Sequence, residues 1–241
     1  LSTKYQPNAN NQLEYDVFGQ MSKSEQDQRF FSSINKSIDQ IEETTPYNVS
    51  QNLNYYYTLD ENNIFALEAQ HVIKDEDPFY NAILEDKLNY DSTAANLGLD
   101  ETQSDYNLAQ EKRVHSNQLD AKLDYWNILN KKSNINLTFG TILSHQTFDS
   151  NIFQFLDNNS SFDAIPTINN GVDVNAIDYS FSDIYLGLHY RLKTGIFTIT
   201  PGISGHTYNV QNTQFGQTVK DNFFRILPDL NIIVQLKKSE T

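Results

Sequence analysis

The sequence predicts an all-β fold of antiparallel, sequentially paired strands, and three observations carry that reading. The first is a period of two. From Gln118 to Tyr125, Leu119, Ala121, Leu123 and Tyr125 share one parity, while Gln118, Asp120, Lys122 and Asp124 share the other. Side chains of a strand alternate faces, so such a run has one apolar and one polar face. The second is where the charges fall: no Asp, Glu, Lys or Arg occupies the apolar parity of any of the alternating runs. The third is a regular alternation of short and long connections between them.

Taken in order, the strands are expected near 12–28, 48–59, 63–73, 107–129, 134–146, 177–192, 196–209 and 222–237. The first carries Leu13-Tyr15-Val17 against Glu14-Asp16, and the second Leu53-Tyr55-Tyr57-Leu59 against Asn52-Asn54-Tyr56-Thr58. Later runs repeat the split at Ile135-Leu137-Phe139-Leu143, Ile184-Leu186-Leu188-Tyr190-Leu192 and Phe197-Ile199-Ile203. In the last, Phe224-Ile226-Leu230-Ile232-Val234-Leu236 oppose Arg225, Asp229, Asn231 and Gln235. Short polar connections at Leu59–Asn63, Leu129–Ser133 and Leu192–Gly195 have the Asn, Asp and Gly content of tight hairpins. Longer polar stretches lie near 29–47, 74–106, 146–176 and 210–221. In a meander, this places the short turns at one end and the long loops at the other.

Composition narrows the class. With 241 residues, the chain is within reach of one large β domain. It has no Cys, which excludes disulfides, thiol nucleophiles and Cys-ligated metals. A hydrophobic content of 38%, with 14 Tyr and 15 Phe, is too apolar and aromatic for a disordered chain. The formal charge of −14 argues against a nucleic-acid partner, which needs a basic surface. No run reaches the roughly 18 apolar residues of a helical membrane span, and no signal peptide is recognisable.

Two architectures fit alternating strands. In a soluble sandwich the apolar parity faces a core; in an outer-membrane barrel it faces lipid and the charged parity faces an aqueous lumen. The one-sided loop lengths favour the barrel, which pairs short turns at one end with long loops at the other. Tyr55 and Tyr57, Tyr125 and Trp126, and Tyr190 stand near the short turns, where a membrane-interface girdle would lie. The expectation is therefore an up-and-down transmembrane β-barrel segment of about eight strands. In it Glu14, Asp16, Glu68, Asp120, Lys122, Asp124, Asp183, Arg191, Arg225 and Asp229 line the lumen. Seven of these are acids and three are bases, a balance that favours cations or neutral polar solutes.

The run Asn52-Leu53-Asn54-Tyr55-Tyr56-Tyr57-Thr58-Leu59, followed by Asn63-Ile64-Phe65-Ala66-Leu67-Glu68-Ala69-Gln70-His71, resembles the outer-membrane β-barrel family of Bacteroidota. Asp75-Glu76-Asp77-Pro78-Phe79-Tyr80-Asn81 and Leu119-Asp120-Ala121-Lys122-Leu123-Asp124-Tyr125-Trp126 add to the likeness, which extends over essentially the whole chain. Members of that family are similar to TonB-dependent receptors. The resemblance implies a barrel of about 22 strands, a plug domain and an energy-coupling box. On this reading, residues 1–241 are part of one outer-membrane β-barrel domain, with the plug and remaining strands absent. The function implied is uptake of a nutrient such as an iron chelate, oligosaccharide or peptide across the outer membrane of a Gram-negative cell. The partners implied are the outer-membrane bilayer, the nutrient and an inner-membrane energy-coupling complex acting through the plug. No cofactor is implied. The alternative is a secreted or surface β-sandwich that acts as an adhesin or binds carbohydrate.

Candidate chemistry is sparse, and no enzyme is expected. The five histidines show no close metal-binding spacing, although His189 and His206 share the polar parity of neighbouring runs and could meet across strands. Gly202-Ile203-Ser204-Gly205 lacks the strand–turn–helix setting of a hydrolase elbow. On the loop after the third run, Asp75, Glu76 and Asp77 form the best candidate for a ligand or ion contact, since clustered carboxylates suit Ca²⁺. In the same region, Asn81–Leu84 and Ala94–Leu97 are compatible with short helical turns.

Overall fold

The computed structural model of the protein describes residues 1–31, 37–163 and 175–235. Strands within these are β1 (Ser2–Asn8), β2 (Asn11–Met21), β3 (Ser24–Phe31), β4 (Ser37–Thr44), β5 (Tyr47–Thr58), β6 (Asn63–Glu76) and β7 (Phe79–Leu84). After helix α1 (Lys87–Leu97) come β8 (Tyr106–Asn130), β9 (Ser133–Phe155), β10 (Ser161–Asp163), β11 (Asn175–Thr194), β12 (Phe197–Gln214) and β13 (Gln217–Val234). They form one antiparallel sheet whose main path runs β1-β2-β5-β6-β8-β9-β11-β12-β13. As the alternation predicted, the fold is an all-β meander with barrel-like topology, and the sheet is not closed. The turns between β1 and β2, β5 and β6, β8 and β9, and β11 and β12 all lie at one end, because every strand pair along the path is antiparallel.

At the other end the sheet is taller than the sequence suggested. Among the described residues thirteen strands replace about eight, and parts of the polar stretches near 29–47, 74–106 and 146–176 are strand. β2 continues into β3, β5 is preceded by β4, and β6 continues into β7, so the upper strands extend the lower ones. The breaks between them fall at Ser22-Lys23, Thr45-Pro46 and Asp77-Pro78. Proline has no N–H to give the ladder, but its carbonyl still accepts: Ser22 N–H donates to Pro46 at 3.2 Å and Lys112 N–H to Pro78 at 3.0 Å. Strand pairing in water needs no apolar face, so the period-two signal fades there while the backbone ladder persists. Asn81–Leu84 is accordingly strand β7, whereas Ala94–Leu97 is helical, in α1. The stretch near 210–221 is the end of β12 and the start of β13, joined by a two-residue hairpin turn. Phe215 (φ 51°) and Gly216 (φ 69°) both take the left-handed conformation that matches strand twist. Residues 32–36, 164–174 and 236–241, with Leu236 of the last apolar run, lie outside the described residues.

The apolar parity does not converge on a core. Leu137, Phe139, Leu186, Leu188 and Ile232 are exposed, with Leu186 at 55%, and Ile199 is half-buried. No second sheet covers them among the described residues, which excludes the sandwich. The apolar face slants across the strands. Phe65 on β6 aligns through Tyr125, Leu137, Leu188 and Ile203 with Pro228 on β13. The lower rim of the face nevertheless reaches Val234, six residues further along β13. Six residues at about 3.4 Å over five strand spacings of about 4.8 Å correspond to a tilt of roughly 40°. That is the inclination at which strands close into membrane barrels.

The one apolar core cluster among the described residues is small and lies at the tall end. Ala94, Leu99 and Tyr106 are buried there, with Leu84, Tyr90, Leu97 and Leu108 against them. Gly98 ends α1 in the left-handed conformation (φ 73°), its N–H directed at the carbonyls of Ala94 and Ala95, which turns the chain toward β8. β1 and β13 are the two ends of the main path. The strand expected near 12–28 is therefore not an edge, since β1 pairs with β2 from Ser2↔Asp16 to Asn8↔Asn11.

The break between β6 and β7 is clamped by Asp77, which accepts from the Thr45 N–H at 2.7 Å and from the Thr45 hydroxyl. The hydroxyl bond holds the Asp77 carboxyl below its ordinary value. A depressed carboxylate stabilises the fold above the unfolded value of about 3.9 and loses that contribution as pH falls through the folded one. Amide protection of Thr45 and of β7 should therefore hold from about pH 7 to 5 and decline below about pH 4. Hydrogen exchange across that range checks it, with Asp77→Asn expected to abolish the acid step.

Candidate functional site

The register gathers all ten sequence-predicted lining residues on one face of the sheet. One cross-strand row reads Glu14, Asn54, Glu68, Lys122, Gly140, Tyr185, His206, Arg225. The next row toward the tall end contains Asp16, Asn52, Gln70, Asp120 and Asp183. Asp124 lies one row toward the short turns, Asp229 two rows and Arg191 three. Every strand contributes by the same parity rule, so the polar face follows from pairing alone.

The charges on this face are linked. Lys122 Nζ lies 3.0 Å from Glu68 and 3.5 Å from Asp124. Asp124 is buried and also accepts from Asn136 Nδ2 at 3.2 Å and from the Thr138 hydroxyl. Lys4 donates to Glu14 at 2.8 Å. Asp16, Asn52, Glu68, Gln70, Asp120 and Lys122 surround a polar hollow of about 450 Å³. Glu68 and Lys122 pair across this hollow, whereas Asp16 and Asp120 bond no donor among the described residues, so the wall there is polar and net negative.

A second group lies along β11 to β13. Asp183, buried, accepts from His206 Nδ1 at 2.9 Å, and His206 Nε2 lies 3.0 Å from Ser204 Oγ. A carboxylate can only accept, so His206 Nδ1–H faces Asp183, and Ser204 Oγ lies between His206 Nε2 and the Leu227 carbonyl at 3.5 Å. The His206 ring is stacked between Tyr185 (5.0 Å) and Tyr208 (5.6 Å). Phe223 stacks on Tyr208 at 4.9 Å, and the Arg225 guanidinium lies 4.9 Å over the Phe223 ring. His189 Nε2 lies 3.0 Å from Asp229. His189 and His206 thus do not meet; each has its own aspartate. Two glycines make room for these rings. A Cβ on Gly140 would collide with the Tyr185 ring, and one on Gly202 with the His189 ring. In sequence these glycines are silent, because the bulky partner is identified only by the cross-strand register.

Two expectations change. Trp126 stands on the polar side, in register with Asn136 and Ile64, while Tyr125 alone faces the apolar side at that turn. There Tyr57, Phe65 and Tyr125 form a stack of rings 6.4 and 4.8 Å apart. The acidic run is also dispersed. Asp75 accepts from Arg113 at 2.9 Å beside His115, Asp77 clamps Thr45, and Glu76 at the end of β6 takes the opposite parity from both. Among the described residues, no three His, Asp or Glu side chains gather in a metal-holding group.

A single antiparallel sheet with one apolar and one polar face, slanted strands and one-sided short turns is an all-β, barrel-like fold whose sheet is not closed. No known family model matches the sequence, and no curated protein does. Among solved structures the chain is similar to the ferric citrate transporter FecA in its unliganded crystal form. The TM-score is 0.56 and the identity 9%, over 99% of this chain and 33% of that one. At that identity the likeness is one of fold, and the chain spans about a third of that structure's length.

Proposed function

We propose that the chain is part of the barrel wall of an outer-membrane receptor that takes up a nutrient, of the TonB-dependent class its sequence resembles. The observation that carries this reading is the segregation of the two faces. Leu137, Phe139, Leu186 and Leu188 are exposed on one side, while the other is a linked network of Asp, Lys, His and Asn. In water such an apolar face would drive aggregation; against lipid it is the low-energy arrangement. The fold likeness to a transporter supports the same reading. The bilayer is then one partner, a solute crossing the polar face a second, and an energy-coupling complex acting through a plug a third. We read the face as guiding solute rather than catalysing. Asp183, His206 and Ser204 have the order of a hydrolase triad, but strand pairing already uses the surrounding backbone N–H groups that an oxyanion would need.

The chain contains no cysteine, so each introduced thiol is a unique probe. In native membranes, Asp120→Cys should react quickly with a charged, water-soluble maleimide. Leu186→Cys should be refractory to it and react with a lipid-soluble reagent instead. Equal reactivity of the two toward the charged reagent would overturn the proposal.

A further inference from the structure

We infer that the lower end of the polar face carries a binding site for a carboxylate group, centred on Arg191. The other basic side chains of this face have partners within the wall: Lys4 bonds Glu14, Lys122 bonds Glu68 and Asp124, Arg225 bonds the Phe224 carbonyl, His206 bonds Asp183 and His189 bonds Asp229. Arg191 differs. It bonds no acceptor among the described residues, although it lies on a face rich in acids. In register it is flanked by Asn134 on β9 and, by the continuing antiparallel pairing, Thr200 on β12. One row up, Trp126 and Asn136 align with His189. These six residues surround a hollow of about 310 Å³.

The chemistry of the lining is one-sided. Among the described residues, the Arg191 guanidinium, the Asn134 amide, the Thr200 hydroxyl and the Trp126 indole N–H all lack a protein acceptor. Unused donors converging on one small cavity call for an acceptor-rich occupant. Guanidinium presents a planar fork that matches a carboxylate with two parallel bonds, while the flanking amide and hydroxyl can reach its remaining lone pairs. Trp126 supplies an apolar wall against the carbon attached to that carboxylate. The volume is at the lower limit of small-molecule sites, enough for one acid group and a short stem. The acid-rich rows lie above, so the hollow is a local reversal of the face's negative balance.

This inference rests on the polar face being open to solute, and its test is separable from that reading. Trp126 is the chain's only tryptophan and lines the hollow, so its emission reports occupancy. The purified protein in detergent micelles is titrated with succinate at constant ionic strength, with sodium chloride and inorganic phosphate as parallel titrants. A saturable emission change with succinate is expected, absent with chloride and weaker with phosphate, which does not match the planar fork. Arg191→Gln should raise the half-saturation concentration at least tenfold, and Arg191→Lys by an intermediate factor, both with wild-type mobility on unheated gels. No saturable response overturns the site, which is also the result if an acidic side chain of the same protein fills the hollow. A response as strong with phosphate, or one indifferent to Arg191→Gln, overturns it equally. If succinate fails while Asp120→Cys still labels from water, only the site falls; if that labelling fails, the open face falls with it.

Discussion

Leu186→Arg should cost about 2–4 kcal/mol of stability in a bilayer, the range for a basic side chain on the lipid face at mid-membrane. Leu186 lies in the middle of the apolar face, in register with Phe139 on one side and Gly205 on the other, and is 55% exposed. A guanidinium there has no water and no counter-charge, so it must drag in a water defect or expel the strand. Asp120→Arg, on the opposite face, should change stability by about 0.5 kcal/mol or less, as substitutions on solvated surfaces do. Urea titration of folding into lipid vesicles separates the two. Equal tolerance of arginine on both faces would remove the physical basis for a lipid-facing side.

Tyr106→Ala should release α1 from the sheet at a local cost of about 3–5 kcal/mol, the range for emptying a buried aromatic site. Tyr106 is 1% exposed, anchors the cluster of Ala94 and Leu99, and donates its hydroxyl to Asp91 at 2.6 Å. The cluster joins α1 only to the ends of β7 and β8, where Leu84 and Tyr106 are in register, so the loss should stay local. Amide protection should vanish from Asn89 to Gly98 and persist in β8 and β9. Tyr106→Phe keeps the ring and loses only the Asp91 bond, a cost of about 1–3 kcal/mol. Unchanged protection of α1 in Tyr106→Ala would show that the helix is held by other contacts.

Where the sequence could be read, one face differed from the other. β8 and β11 were legible because Leu119-Ala121-Leu123 and Ile184-Leu186-Leu188 stand opposite Asp120, Lys122, Asp124 and Asp183. β3, β4 and β7 were not, because Glu25-Asp27-Arg29 pair with Glu43-Ile41-Asp39 in a region where neither face has to be apolar. The hairpin at Phe215-Gly216 is hard to read in the sequence because both of its flanks are polar, although Gly216 is a turn signal. At the candidate site, the shared face of the ten charged residues was visible in their parity. Their partners were not, since Lys122 with Glu68, His206 with Asp183 and Arg191 beside Asn134 depend on which residue of the neighbouring strand stands opposite.

The sequence by itself determined that this protein is a sheet with one apolar and one polar side, and on which side each charge lies. Parity is a local property: one residue's position along its own strand decides its face. Register, tilt and the outward exposure of the apolar side were decided only by the tertiary structure. Those depend on how far each strand slides against its neighbour, and a hydrogen-bonded ladder tolerates every even shift until turns and packing select one.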